Sequence, residues 1–506
     1  MLKSLDDFLN TTTMYRLLLY YLGGLLGISF VMSLSGNLGF NAFALLASTA
    51  ILVAACWGIN RAFALVFRIA VNHESSIITA LILALLITPS FDTYGLLFLL
   101  AVSGLAMASK YLLTIKRVHI FNPAAVALVL TALGPQQNAS WWIGTATLLP
   151  FVIIGGLLVI RKIRREAMII SFLTATLTAT VLSAAFGHGH ILAALKQAVL
   201  TSPIFFLGFV MLTEPLTSPG TRAKQLMFGA LVGLLVLPQI HLFKFYVSPE
   251  LALVIGNIFA YGIDPRVRVF PTLSQKVRIA ANSVDFVLIP HRKLSYRPGQ
   301  YMEWTLPHSD VDSRGNRRYF TLASSPTEST LRLGIKFYQP SSSYKKALLA
   351  MSEGTSLVAT QVAGDFVLPH SKKQKLVFIA GGIGVTPFRS MVKYLIDKNQ
   401  QRDIKILYAV KNREDIAYHH IFEQARAQLG IATTYVLANP PSQALSSQER
   451  VGRIDAATIQ ELAPDYSRRT FYISGSHQMV ISVQKVLIGL GVPRHRIKTD
   501  YFSGYA

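Results

Sequence analysis

Gly381, Gly382 and Gly384 follow the apolar run 376–379 and lead into Thr386 and Pro387. A strand that ends in such a turn lets backbone N–H groups approach a pyrophosphate, because glycine has no Cβ to hold the anion away. A helix opening at the turn adds its positive end, and Pro387 suits a first helical turn. Taken alone, the glycines also read as an ordinary tight strand-to-helix turn. A second set of charged residues follows the apolar strand 404–410, where Lys411, Asn412 and Arg413 precede Glu414 and Asp415. Lys411 and Arg413 can grip a ribose 2′-phosphate, or Glu414 or Asp415 can accept from a 2′-hydroxyl; the sequence leaves NADH and NADPH both open. The single cysteine, Cys56, sits in an apolar segment, so no disulfide framework or cysteine-ligated iron–sulfur cluster can be built within the chain. No metal site is read, and electron carriers here are expected to be organic.

The elements that position these residues belong to two kinds of chain. With 506 residues there is room for about three domains, and a mean hydropathy of +0.44 with 14% charged residues is too oily for a water-soluble protein. Apolar segments at 15–34, 41–58, 76–89, 93–112, 122–134, 142–160, 167–186, 191–213, 225–243 and 247–263 predict about ten membrane segments, two or three of them too short for a straight span. The formal charge of +23 lies in short clusters beside these segments: Arg61 and Arg68, Lys110 with Lys116 and Arg117, 161–165, Arg222 with Lys224, and Arg266 with Arg268. All fall on one side, as the positive-inside rule expects, with Lys244 and Lys196 as exceptions. That places both termini in the cytoplasm of an inner-membrane protein in contact with lipid. No basic stripe is interleaved with exposed aromatics, so no nucleic-acid partner is expected. Asp6 and Asp7, with no small-residue cleavage site, argue against a removable signal peptide.

From about residue 275 the pattern changes to short alternating strands and then to strands alternating with amphipathic helices. The expected organisation is a membrane electron-transfer domain at 1–265, a basic linker at 266–275, an antiparallel β-barrel at 276–371 and an α/β nucleotide-binding domain at 372–506. The fold class is thus a polytopic α-helical membrane domain followed by a β-barrel and an α/β domain.

Arg318-Tyr319-Phe320-Thr321-Leu322-Ala323-Ser324-Ser325, preceded by Tyr296-Arg297-Pro298-Gly299-Gln300-Tyr301, resembles the flavin signature of the ferredoxin–NADP reductase family. The family's landmarks follow in order: Gly364-Asp365-Phe366, the turn 381–387, Tyr472-Ile473-Ser474-Gly475-Ser476, and the terminal Asp500-Tyr501-Phe502-Ser503-Gly504-Tyr505-Ala506. The resemblance implies FAD and NAD(P)H as cofactors. By it Arg318 faces the pyrophosphate within the motif that includes Tyr319, Phe320 lies on the isoalloxazine, Thr321 stands beside N5, and Ser341, Ser342 and Ser343 with the following helix hold phosphates. Gly381, Gly382, Gly384, Thr386, Pro387 and Gly475 bind the nicotinamide nucleotide, and Phe502 or Tyr505 covers the flavin. Family members usually have Cys-Gly-Pro where this chain has Ser474-Gly475-Ser476. A hydroxyl in place of that thiol is expected to modulate the rate without abolishing it, since alignment of the two rings does most of the work.

The run Val118-His119-Ile120-Phe121-Asn122-Pro123-Ala124-Ala125, the pair Trp141-Trp142, and 212–222, containing Thr213, Glu214, Thr217 and Ser218, resemble the family of flavin-bearing membrane proteins shared by the Rnf complex and the sodium-translocating NADH:quinone reductase. That resemblance implies a membrane-bound flavin and electron transfer across the bilayer. Asn122 followed by Pro123 is a good cap and first-turn pair, and Ser218-Pro219 can open another helix; broken helices in a membrane enclose cavities or ligands. Asn122, Pro123, Thr217 and Ser218 are therefore the candidate seat of FMN or riboflavin. The relatives' flavinylated threonine lies in a Ser-Gly-Ala-Thr segment that this chain lacks; its nearest match ends at Thr147, so a non-covalent flavin is expected. Glu214 fits a flavin or ion site, or a solvated carboxylate.

The expected function is electron transfer from cytoplasmic NAD(P)H through FAD and a membrane flavin to an extracytoplasmic acceptor, such as a flavinylated protein. One alternative is a haem-b reductase of the ferric reductase or NADPH oxidase type, for which His73, His119, His188, His190 and His241 are the candidate ligands, without the repeated spacing that paired haems need. The other is a redox-driven ion pump, weakened by a shortage of buried acids.

Overall fold

A computed structural model describes residues 8–9, 12–67, 73–134, 139–237, 241–242, 245–312 and 314–502. The chain divides into two compact units, one of Thr12–Val267 and one containing Arg268–Ala506.

In the first unit each apolar segment contains helix, although 142–148 is turn and the helix within 225–243 ends at Leu235. Among the described residues four helices are long and apolar enough to cross a bilayer: Met14–Leu34, Ala42–Val66, Thr93–Leu112 and Glu166–Phe186. Asn41 and Asp92 cap the second and third through side-chain oxygens that accept from Phe43 N–H and Gly95 N–H, satisfying amides the helix leaves unpaired. The other apolar helices are shorter: His73–Leu86, Pro123–Ala132, Leu149–Ile163, Arg222–Leu235 and Pro249–Ile263. The stretch 191–213, read as one segment, is two helices, Ile191–Leu200 and Ile204–Met211, bent by 54°. Pro203 sits at the break and removes an amide from the ladder, and the second piece continues as a π-helical turn, Leu207–Met211. Counting the bent pair as one span gives five spans by length and composition, against the ten segments expected. Two-residue hairpins, β1 (Thr114–Ile115) with β2 (Val118–His119) and β3 (His241–Leu242) with β4 (Phe245–Tyr246), join helices.

The second unit begins with two three-stranded antiparallel sheets. One has the order β5 (Thr272–Ala280), β6 (Ser283–Ile289), β9 (Leu331–Lys336); the other β10 (Val358–Ala363), β7 (Tyr301–Thr305), β8 (Arg317–Thr321). Leu331, Leu333 and Ile335 turn inward on β9, the period of two that a half-buried strand shows. Bridges Val269↔Ala359 and Thr272↔Ser356 connect the two sheets. The ladders among the described residues do not close into one continuous barrel. They also correct the linker: residues 266–275 are not free chain, because Val269 already exchanges both backbone hydrogen bonds with Ala359 and β5 starts at Thr272.

The rest of this unit is a six-stranded parallel sheet of order β14 (Glu449–Val451), β13 (Thr433–Leu437), β12 (Ile404–Val410), β11 (Leu376–Gly381), β15 (Thr470–Ser476), β16 (Ile497–Phe502). Residues 376–380 of β11 are fully buried, as a central strand covered on both faces requires. Helices Thr386–Asp397, His419–Leu429, Ala456–Leu462 and His477–Gly489 make the crossovers.

Candidate functional site

Chain order along the parallel sheet runs outward from β11 through β12 and β13 to β14, then returns to place β15 on the other side of β11. The carboxyl ends of β11 and β15 therefore flank the switch point, where open α/β sheets bind ligands. Gly381–Pro387 and Ser474-Gly475, nearly a hundred residues apart in sequence, meet there: Ala380 is paired with Ser474. A Cβ on Gly384 would stand 2.5 Å from Ser474 O and 2.6 Å from Gly475 Cα, and one on Gly475 3.2 Å from Gly381 Cα. Gly382 has φ +53° with open space around it. Thr386 Oγ1 donates to Ile383 O at 3.2 Å, closing the turn as Pro387 enters the helix. Ser474 is fully buried and its Oγ has no hydrogen-bond partner. A glycine cradle that any side chain would fill, with a buried hydroxyl left unsatisfied, fits a nicotinamide nucleotide. β16 pairs Ser476 with Phe502; the side chain of Phe502, and all of Tyr505, lie outside the described residues.

On β8, strand alternation places Arg318 and Phe320 on one face and Tyr319 and Thr321 on the other, since Arg318 pairs with Trp304 and Tyr319 with Glu303. Arg318 is buried over the ring of Tyr344, 4.9 Å from its centroid, and its Nη1 donates to the carbonyls of Arg314, Gly315 and Arg317. Phe320 is half-buried, 6.1 Å from Tyr344, whereas Tyr319 is exposed and donates to Glu303 Oε2 at 2.8 Å. Thr321 is buried at the strand's last position, so a flat ring can meet Phe320 and Thr321 together only at this strand end. Ser342 caps the helix Ser343–Ala350, accepting from Lys345 N–H. Ser343 accepts at Oγ from Asp312 N–H at 3.0 Å and donates its own N–H to Asp312 Oδ2 at 2.9 Å; Ser341 Oγ donates to Tyr338 O. Burial works to raise the Asp312 carboxyl, but hydrogen bonds from Arg314 and Ser343 overcome it and hold the carboxyl low.

The sequence motifs did not point to Lys345. It is buried, donates to Lys336 O at 2.9 Å, and its ammonium is pushed down to about 8 by burial and by the neighbouring charges of Arg318 and Arg314. Arg318, Arg314 and Lys345 lie near one helix N-terminus, a setting that suits a diphosphate provided it displaces the Asp312 carboxylate, which already takes the Ser343 N–H and Arg314.

Arg413 is committed elsewhere. It grips Glu449 with both Nε and Nη2, at 2.7 and 2.6 Å, and donates further to Gln443 and Ala444. The guanidinium holds the Glu449 carboxyl down to about 2. A 2′-phosphate grip by Arg413 would have to break this fork; Lys411 and Glu414 are exposed beside it.

In the first unit the structure brings Asn122, Pro123, Thr217 and Ser218 together. Asn122 Oδ1 caps the helix by accepting from Ala125 N–H at 3.1 Å, its Nδ2 donates to Glu214 Oε2 at 2.9 Å, and its N–H to Asn257 Oδ1 at 2.9 Å. Asn257 Nδ2 donates to Thr217 O at 3.2 Å, Thr217 Oγ1 to Glu214 Oε2 at 3.4 Å, and Ser218 Oγ to Glu214 O at 2.5 Å while receiving Arg165. A cavity of about 50 Å³ adjoins Asn122, Pro123, Thr213 and Glu214, with Ser75 and Thr79 also on its wall. Within this cluster the polar groups of Asn122, Glu214, Thr217, Ser218 and Asn257 hydrogen-bond one another.

Three further placements bear on the expectations. Lys110 is no loop residue: from the last turn of its helix it donates to Ser75 O, Ser75 Oγ and Thr79 Oγ1. A buried acid does exist, Glu250, which accepts from Trp141 Nε1 at 2.9 Å; nothing local in the sequence announces this pairing. His119 sits against Glu214 at 3.4 Å, and His188 and His190 are exposed together in one loop, so these three do not form facing pairs; the side chains of His73 and His241 lie outside the described residues. Thr147 is exposed in the turn before Leu149–Ile163.

Residues 378–485 match the family described as oxidoreductase NAD-binding domain. The chain is 28% identical over 236 residues to a flavohemoprotein of Bacillus subtilis (strain 168), covering 46% of this chain and 58% of that protein. It is 25% identical over 245 residues to a flavohemoprotein of Halalkalibacterium halodurans, covering 46% and 59%. A solved structure, the flavohem-like FAD/NAD binding domain of nitric oxide dioxygenase from Vibrio cholerae O1 biovar El Tor, shares 23% identity at a TM-score of 0.41 over 46% of this chain and 98% of its own. The chain spans about three-fifths of the length of the curated relatives it matches. Switch point, glycine cradle and these matches define the class: the C-terminal half is an FAD/NAD-binding oxidoreductase module. Within that class the curated relatives it resembles are flavohemoproteins.

Proposed function

We propose that the chain oxidises cytoplasmic NAD(P)H at the C-terminal module and delivers the electrons, through its membrane unit, to an acceptor on the opposite side. The observation that carries the first half is the meeting of Gly384 with Ser474 and Gly475 at the switch point. Arg318, Lys345 and the N-terminus at Ser343 would hold the FAD diphosphate, with Phe320 and Thr321 at the ring. Gly381, Gly384 and Gly475 admit the nicotinamide nucleotide, and the buried Ser474 hydroxyl is free to bond it. FAD, when bound, accepts a hydride from NAD(P)H and can release the electrons singly. The protein's own work is to hold the two rings in register and keep water out.

The membrane unit supports the second half through helices long and apolar enough to span a bilayer. For the onward carrier, the motif resemblance supports a non-covalent FMN or riboflavin beside the cavity that Asn122, Pro123, Thr213 and Glu214 line. The test is full-length protein in proteoliposomes with NAD(P)H inside and an impermeant acceptor outside, with flavin counted after denaturation. Outside reduction with more than one flavin per chain supports the full reading. Outside reduction with FAD alone moves the carrier role to a quinone or haem, and absence of outside reduction removes transmembrane transfer.

A further inference from the structure

The first turn of the helix Thr386–Asp397 is tied to the segment that follows the flavin strand. Arg389, 3% exposed, donates from Nη1 to Ala323 O at 3.1 Å and grips Glu328 with both terminal nitrogens, Nη2 to Oε1 at 2.9 Å. The neighbouring Ser390 donates to Ser324 O at 2.6 Å, and Tyr296 holds the same Ser324 through its carbonyl and hydroxyl oxygens. Ala323 and Ser324 lie just beyond Thr321, so these bonds run from the start of the nucleotide helix to the end of the flavin strand.

A second contact lies beside the first. A Cβ on Gly334 of β9 would stand 2.8 Å from Thr386 Cγ2 and 2.4 Å from Tyr418 Oη, so the glycine is a notch that receives both residues. Tyr418 Oη donates to Asp285 Oδ1 at 3.1 Å, and the fully buried Asp285 is held by Arg332 at 2.9 Å. Arg332 also reaches Glu328 at 3.7 Å. Arg389, Glu328, Arg332, Asp285 and Tyr418 thus form one continuous network of largely buried groups.

We propose that this network sets the separation and tilt between the nicotinamide held at Gly381–Pro387 and the flavin ring held at Phe320 and Thr321, with Arg389 and Glu328 as positioning residues that touch neither cofactor. The proposal rests on the hydride-transfer reading. Buried ion pairs contribute little net stability but are demanding in direction, and a bidentate arginine fork fixes angle as well as distance. Such a device acts on rate more than on binding, because a misplacement of about 1 Å between reacting groups costs on the order of a hundredfold in rate.

The test is anaerobic rapid mixing of the full-length FAD-bound protein with NADH and with NADPH, following flavin bleaching, with nicotinamide deuterated at the transferred position as a second substrate. Arg389→Ala is expected to retain FAD, to change the dissociation constant for NAD(P)H by less than about threefold, and to lower the limiting reduction rate at least about tenfold with a larger isotope effect. Arg389→Lys should recover part of the rate. Ser390→Ala, which deletes one neutral hydrogen bond, should give a smaller loss in the same sense and serves if Arg389→Ala does not fold. An unchanged limiting rate and isotope effect in Arg389→Ala overturns the proposal, as does a wild-type rate in Ser390→Ala when Arg389→Ala cannot be purified. Failure of either nucleotide to bleach the unsubstituted protein overturns the functional reading itself, a result distinct from both.

Discussion

Gly384 lies so close to Ser474 that a Cβ on the glycine would stand 2.5 Å from the serine carbonyl oxygen. The turn after β11 and the end of β15 are therefore one surface, built at the point where the sheet reverses its winding.

Gly384→Ala should force the two backbones apart at a site with no flexible side chain to yield. Overpacking of this kind costs about 1–3 kcal/mol, and it should appear as a sharply raised Michaelis constant for NAD(P)H with FAD content preserved. Gly382→Val meets no atom within 4 Å but places a β-branched residue at φ +53°, so its effect should come from backbone strain. Steady-state kinetics with flavin quantification separates the two, and an unaffected Gly384→Ala enzyme would show that the cradle is not the nucleotide site.

Arg318→Ala should weaken FAD roughly tenfold to a hundredfold, the range expected for losing charge-assisted hydrogen bonds worth about 1.5–3 kcal/mol. Flavin fluorescence titration of the purified full-length protein measures it. Full FAD occupancy at nanomolar cofactor would reassign the anion site.

The Lys345 ammonium, held at about 8 without a ligand, gives FAD binding a pH dependence of known sign. Below about 8 the lysine is charged and attracts the diphosphate; above it the free protein loses that charge, while a bound diphosphate would favour keeping it. FAD affinity should thus be flat on the acid side and fall as pH rises past 8, and Lys345→Met should flatten the profile at lower affinity. A titration series from pH 6.5 to about 9.5 tests this, and parallel profiles for both proteins would exclude Lys345 from the site.

Glu449, held down to about 2 by Arg413, predicts acid behaviour of the opposite sense. Its depressed carboxyl contributes stability in full above the ordinary carboxylate range, and that contribution is lost as pH falls toward 2. Glu449→Gln should remove that part of the acid sensitivity, read by FAD release, and should free Arg413. A gain in the NADPH-to-NADH preference of Glu449→Gln, reversed by adding Arg413→Ala, would mark this fork as what limits 2′-phosphate recognition.

In the N-terminal helical unit, Asn257→Leu leaves Asn122 N–H and Thr217 O buried without their partner. Each stranded group costs about 1–3 kcal/mol, so the melting temperature of the detergent-solubilised protein should drop clearly while FAD binding is retained. An unchanged melting temperature would mean that water replaces the amide.

What the sequence determined by itself is what short-range chemistry controls. Apolar segments must be helical in lipid because no water satisfies the backbone there; Asn122-Pro123 caps its helix through atoms three residues away; and the run 376–387 is strand, turn and helix whatever surrounds it. The order of the strand at Arg318–Thr321, the glycine turn and Ser474-Gly475 was legible through the resemblance to the ferredoxin–NADP reductase family and not through local chemistry. Tertiary structure alone decided which charges are spoken for and which groups meet. Arg413 is one of two open candidates for the ribose in the sequence, and only β14, by bringing Glu449 beside it, commits its guanidinium. Glu250 was not singled out by the sequence, and its partner Trp141 comes from 109 positions away. Arg389 belongs to no sequence motif, and only the β-sheet half, by presenting Glu328 and Ala323, gives it buried partners. In each case a long polar side chain has many local rotamers of similar energy, and only the burial and hydrogen-bond partners supplied by a distant segment select one.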